Sequence, residues 1–105
     1  MGKTTVSDDG RFEWDEDKDR LNVMKHGFSF NEITEVFDDP AFFEGYDIEH
    51  SDEELRYYGI GCLNNILVVV VFYTERGERT RIISARQAGA DEKEAYNDYF
   101  KEINS

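Results

Sequence analysis

The chain has 105 residues, 24 Asp and Glu against 12 Lys and Arg, and a net charge of −12. That length supplies one hydrophobic core but not two, and 39% hydrophobic with 14% aromatic residues excludes a disordered polymer. The longest strongly apolar run, Ile66 to Tyr73, is too short to cross a bilayer as a helix, and so large an acidic excess argues against general-purpose nucleic-acid binding.

Residues 1–10 are polar and aperiodic and predict a flexible tail, leaving residues 11–105 as a single domain. The start has no apolar signal region. With Cys62 as the one cysteine, no internal disulfide can form, so a reducing cytoplasm is expected. Phe12-Glu13-Trp14 alternates as a short strand. Asp15 caps a helix running to about Lys25, with Leu21 and Met24 on one face and Gly27 as its stop. A second helix opens on a capping box of Ser29 and Glu32, with Phe28 and Ile33 at staple spacing. Its apolar residues Ile33, Val36 and Phe37 keep a helical period, and Asp38-Asp39-Pro40 ends it.

Strands follow. Ala41–Ile48 is aromatic-rich, and Glu53–Gly61 alternates. A turn at Asn64-Asn65 leads to Ile66–Thr74, whose unbroken apolar run suits a central strand buried on both faces. Glu75–Glu78 turns into Arg79–Ala85. A closing helix from about Asp91 points Tyr96, Phe100 and Ile103 inward. The expected fold is α+β, a mostly antiparallel sheet with the helices packed on one face.

Charge is distributed unevenly. Between His26 and Leu55 there are ten acids and no Lys or Arg, whereas Arg76, Arg79, Arg81 and Arg86 fall within eleven residues. An acidic chain of this kind suits a basic protein partner. On paired strands those guanidiniums would stand at fixed spacings, each able to fork onto two oxygens of a phosphate or carboxylate. The same arginines could instead be strand ends neutralised by neighbouring acids.

The candidate chemistry is metal-independent RNA cleavage. It needs a base for the ribose 2′-hydroxyl, cations for the phosphorane and an acid for the leaving 5′-oxygen. His50 and Glu54 are candidate bases, and Arg56, Arg76, Arg81 and Arg86 are candidate cations. Lys25, His26 and Tyr73 are candidate substrate contacts. Each residue has a plainer alternative. Lys25 and His26 can stabilise a helix C-terminus, His50 can be a solvated loop residue, Glu53 and Glu54 solvated carboxylates, and Tyr73 the edge of a core. No HxxxH, HxH or CxxC spacing predicts a metal. No nucleophile elbow, P-loop or dinucleotide fingerprint occurs, so no cofactor is expected.

Taken in order, Phe12-Glu13-Trp14-Asp15, Asn22 with Lys25-His26-Gly27, Ser29-Phe30, Val36 to Pro40, His50-Ser51 with Glu54 and Arg56, Ile60-Gly61, Tyr73 to Gly77, and Arg81 to Arg86 with Ala88 resemble the BrnT family of type II toxin–antitoxin toxins. The resemblance implies a RelE-like fold and a ribonuclease that slows translation. It also implies neutralisation by a BrnA-like ribbon–helix–helix antitoxin in a toxin–antitoxin hetero-oligomer, and apolar surface left for that antitoxin would let the isolated chain form a homodimer. Carried to matching positions, it implies roles for Lys25, His26, His50, Glu54, Arg56, Arg76, Arg81 and Arg86. The sequence departs from the family after Arg86, where Gly89 to Tyr96 keeps Glu92 and Tyr96 but little basic character. A catalytically degenerate relative, an acidic module that holds a basic protein, is therefore the alternative. A third reading is a stand-alone domain that binds a small anion.

Overall fold

The computed structural model describes residues 2–51 and 54–105. Its elements are β1 (Thr4–Val6), β2 (Phe12–Asp15), α1 (Glu16–His26), α2 (Phe30–Ile33) tightening into a 3₁₀ turn (Thr34–Asp38), β3 (Phe43–Tyr46), a second 3₁₀ turn (Ile48–His50), β4 (Arg56–Leu63), β5 (Leu67–Arg76), β6 (Arg79–Gln87) and α3 (Ala90–Ile103). One six-stranded sheet has the order β1-β2-β6-β5-β4-β3. It is antiparallel except where β2 runs parallel to β6. This is the expected α+β architecture.

The expected tail is an edge strand over part of its length. Thr4, Thr5 and Val6 pair with Asp15, Trp14 and Glu13. Ser7 N–H donates to the Phe12 carbonyl at 2.9 Å, and Gly10, at φ +76°, turns the chain back. Three residues are too few to show a period in sequence; the strand forms because β2 offers it an open edge.

Helix α1 has the expected ends: the Asp15 side chain accepts from Asp17 and Lys18 N–H, and Gly27 sits at φ +82°. Its inward face differs from expectation. Leu21 and Met24 are exposed, and Asn22 is buried. The Asn22 Oδ1 accepts from Ala85 N–H at 3.0 Å, and its Nδ2 donates to the Phe28 carbonyl at 3.2 Å. β2 covers β6 only as far as Ile82, so Asn22 completes the strand edge beyond it.

The Ser29–Glu32 capping box forms, with Phe28 and Ile33 both buried. Only one α turn follows before the backbone tightens. The β-branched Thr34 and Val36 are poor helix formers. Asp39, at ψ 123°, has the extended backbone that a following proline favours.

The helices do not share one face. Phe30, Ile33 and Val36 pack with Trp14, Val69, Val71, Tyr73 and Ile82 on one side of the sheet. Tyr96 of α3 packs with Ala41, Ile60 and Val70 on the other. Successive valines of β5 thus serve opposite cores, which explains the strand's unbroken apolar run. On the α2 side Gly59 is required: a Cβ there would enter the Phe42 ring.

The pairing of β5 with β6 slips by one residue. Phe72 stands opposite Ser84 but Tyr73 stands opposite Ile82, which leaves Ile83 as an extra residue. In a regular strand Ile82 and Ala85 would face opposite ways. Here both enter the α2-side core, as a β-bulge between them requires.

Candidate active site

The bulge decides where the arginines point. Arg81 and Arg86, five residues apart, would lie on opposite faces of a regular strand. With Ile83 inserted they share the α3 side. One row of directly paired residues crosses four strands on that side: Arg56 of β4, Thr74 of β5, Arg81 of β6 and Glu13 of β2. Phe72 lies one step along β5 from Thr74 on the same side. The Arg56 and Arg86 guanidinium carbons stand 5.3 and 5.7 Å from its ring centroid, within cation–π range. Arg76 follows Thr74 by two residues and pairs with Arg79, so the hairpin end adds two more arginines to this face. Thr74 is buried, its hydroxyl donating to the Leu55 carbonyl at 2.7 Å.

Arg56, Arg76, Arg81 and Arg86, the four candidate cations, each carry a carboxylate partner. Arg56 Nε lies 3.2 Å from Asp47 Oδ2. This is an ion-pair distance without hydrogen-bond alignment, and Nε is buried with no other partner among the described residues. Arg81 pairs with Glu13, and only 18% and 13% of the two side chains are exposed. Arg76 engages both oxygens of Glu54, at 3.0 and 3.3 Å. Arg86 engages both oxygens of Glu92, at 2.7 and 2.8 Å. The hydrogen bond from Glu92 raises the Arg86 pKa above its ordinary value, and the one from Arg86 lowers that of Glu92. The charge concentration is therefore real, but it is balanced locally in the ligand-free chain.

Asp47 joins two candidates that the sequence leaves separate. Its carboxylate also meets His50 Nδ1 at 3.0 Å. A carboxylate can only accept, so in the neutral ring it is Nδ1 that carries the proton and Nε2 that keeps its lone pair. His50 remains more than half exposed and Asp47 largely buried. A buried carboxylate thus orients an exposed imidazole beside Arg56. Of the two candidate bases, His50 has an unshared ring nitrogen, whereas both Glu54 oxygens are held by Arg76.

Other candidates lie elsewhere. Tyr73 is buried in the α2-side core, stacked on Tyr57 at 5.6 Å and edge-on to Phe37 at 5.0 Å. Its hydroxyl donates to Glu44, and burial, reinforced by that carboxylate, pushes its pKa upward. It is not on the arginine face. Lys25 and His26 line a shallow 250 Å³ cavity between α1 and β6, with Ile83 and Ser84. That cavity opens beside the bulge, between Arg81 and Arg86 in sequence. Glu53 lies outside the described residues. Among the described residues no three His, Cys, Asp or Glu side chains gather to hold a metal ion.

Sequence reasoning assigned no role to Asp47, Glu13, Phe72 or Glu92. Asp47 is one acid among ten in its stretch, and its three-residue spacing to His50 is the one local signal. Glu13 and Phe72 acquire their roles through strand register, which sequence alone does not reveal.

The chain as a whole has counterparts among known proteins. Residues 14–92 match the family model described as the ribonuclease toxin, BrnT, of type II toxin–antitoxin systems. That span includes Asp47, His50, Arg56, Arg81, Arg86 and Glu92, and leaves out β1 and most of α3. A search of curated proteins returned no match. Among solved structures, the 1.1 Å crystal structure of the Brucella abortus ribonuclease toxin BrnT is similar at 27% sequence identity and a TM-score of 0.57, covering 72% of this chain and 92% of that one. The chain belongs to the BrnT family of type II toxin–antitoxin ribonuclease toxins.

Proposed function

We propose that this protein is a metal-independent endoribonuclease that inhibits translation in the cytoplasm and is held inactive by a BrnA-like ribbon–helix–helix antitoxin. The observation that carries this reading is the bulge at Ile83, which sets Arg81 on the same face as Arg56 and Arg86, with His50 beside Arg56 through Asp47.

His50 Nε2 takes the proton from the ribose 2′-hydroxyl, and the resulting oxyanion attacks the adjacent phosphorus. Arg56, Arg81 and Arg86 stabilise the extra charge of the phosphorane. The 5′-oxygen departs with a proton from solvent water, leaving a cyclic 2′,3′-phosphate. Dependence on the 2′-hydroxyl confines the reaction to RNA. Lys25 and His26 hold the RNA strand at the rim. The phosphate replaces carboxylates that are already in place, at small cost for the exposed Arg76–Glu54 pair and a larger one for the partly buried Arg86–Glu92 pair.

The test is inducible expression in a bacterial host, wild type beside Arg56→Ala/Arg81→Ala, following growth and total RNA. Arrest with RNA cleavage in the wild type alone is expected. No arrest from a folded wild type would favour a second reading, supported by the local neutralisation of every candidate arginine: a degenerate relative whose acidic surface holds a basic protein. Co-purification with the product of an adjacent ribbon–helix–helix gene checks the partner under both readings.

A further inference from the structure

Beside Arg86 the sheet face opens into a cavity of roughly 340 Å³, between the start of α3 and strands β3 to β5. Buried Ile60 and Val70 and the partly buried rings of Phe43, Tyr58 and Phe72 line it. Arg86, Glu92 and Asp91 supply its charged groups. The volume is at the small end for ligand pockets, the scale of one planar group rather than a peptide segment. Phe72 is shared with the arginine face, because Arg56 and Arg86 both stand over it.

The two carboxylates are not equivalent. Glu92 spends its oxygens on Arg86 and on Gly89 N–H at 2.8 Å. Asp91, one residue earlier, makes no side-chain hydrogen bond or ion pair among the described residues, so both of its oxygens can accept. Partly exposed aromatic rings can stack any base. A free carboxylate discriminates among bases, because it is an acceptor only. Guanine alone presents two adjacent donors, N1–H and the 2-amino group, on one edge. Adenine and cytosine place a ring acceptor beside their amino group, and uracil has one donor between two carbonyls.

We infer that this cavity is a base subsite selective for guanine next to the scissile phosphate, with Phe43, Tyr58 and Phe72 stacking the ring and Asp91 reading its two donors. The inference rests on the ribonuclease reading for its substrate, but binding can be measured without cleavage.

The experiment is titration of the isotopically labelled chain with the four nucleoside monophosphates, each carrying its phosphate on the 3′ or the 5′ oxygen, followed by amide NMR. Guanosine monophosphate should bind about tenfold or more tightly than the other three, with shifts centred on Tyr58, Phe72 and Asp91. Asp91→Asn should bring guanosine level with the rest while leaving their binding unchanged. Equal affinity for all four, shifts confined to Arg56 and Arg81, or no binding would each overturn the subsite. Mapping the ends of cleaved RNA separates the two claims. Cleavage with no guanine bias removes the subsite and leaves the ribonuclease. Selective guanosine binding by a chain that cleaves nothing keeps the subsite and removes the ribonuclease.

Discussion

Arg86 closes on Glu92 through two parallel hydrogen bonds, Nη1 to Oε1 at 2.7 Å and Nη2 to Oε2 at 2.8 Å. The pair ties β6 to the first turn of α3, where Glu92 also accepts from Gly89 N–H and lies at the favourable end of the helix dipole. One carboxylate therefore anchors a helix and restrains an arginine of the candidate site.

Replacing it tests the anchoring role. Glu92→Ala should lower unfolding free energy by about 1 kcal/mol at neutral pH, from the lost cap and a partly exposed ion pair. Because the folded-state pKa of Glu92 is lowered from its ordinary 4.5, its contribution is complete above that value and lost as pH falls through the lower one. The stability gap between wild type and variant should hold at pH 7 and close as the pH drops below 4.5. A gap that widened in acid would contradict the assignment.

Asn22 is the buried polar residue on which the α1 docking depends. Asn22→Leu keeps the volume but leaves Ala85 N–H and the Phe28 carbonyl without partners. At 1–3 kcal/mol for each stranded group, the expected loss is about 2–4 kcal/mol. Urea unfolding should show a lower midpoint with an unchanged slope.

Asn22 also marks where sequence reading stops. A 3.6-residue period finds apolar faces, so Leu21 and Met24 drew the inward assignment, yet both are exposed and the polar residue between them is buried. What placed Asn22 inside was the open edge of β6, a tertiary fact. The helix ends, the capping box and the two-sided burial of β5 were legible because each is written in residues within a few positions of one another. The grouping of Arg81 with Arg86 was not legible, because strict alternation separates them and only the extra Ile83 reunites them. The arginine-rich hairpin itself was visible; Glu13 as the partner of Arg81, and Asp47 as the partner of Arg56 on β4, were not, because other elements contribute them. The resemblance to the family supplied the candidate residues in sequence, and strand register arranges Arg56, Arg81 and Arg86 in space.

Arg81 needs a variant that separates catalysis from stability. With Glu13 only 13% exposed, Arg81→Ala strands a poorly solvated carboxylate and should cost about 1–3 kcal/mol. Glu13→Gln/Arg81→Ala removes the stranded charge and should recover most of that loss. RNA cleavage should be absent from both variants if the guanidinium serves the phosphorane. A double variant that regained cleavage together with stability would reduce Arg81 to a structural residue.

Asp47 offers the sharpest test of the proposed chemistry, because it touches the candidate base and a candidate phosphate ligand at once. Asp47→Asn preserves size and the partly buried position while removing the charge that fixes the His50 Nδ1 proton and faces Arg56 Nε. An amide can donate to Nδ1, which would favour the tautomer with its proton on Nε2 and disable the base. The cleavage rate should then fall by about 10²–10⁴-fold, the range for losing an oriented general base, with RNA binding weakened far less. His50→Ala should cost a similar factor. Because the two residues act as one unit, the double variant Asp47→Asn/His50→Ala should be little worse than either single change. Losses that instead multiply would mean independent roles, with Asp47 serving Arg56 and the base lying elsewhere.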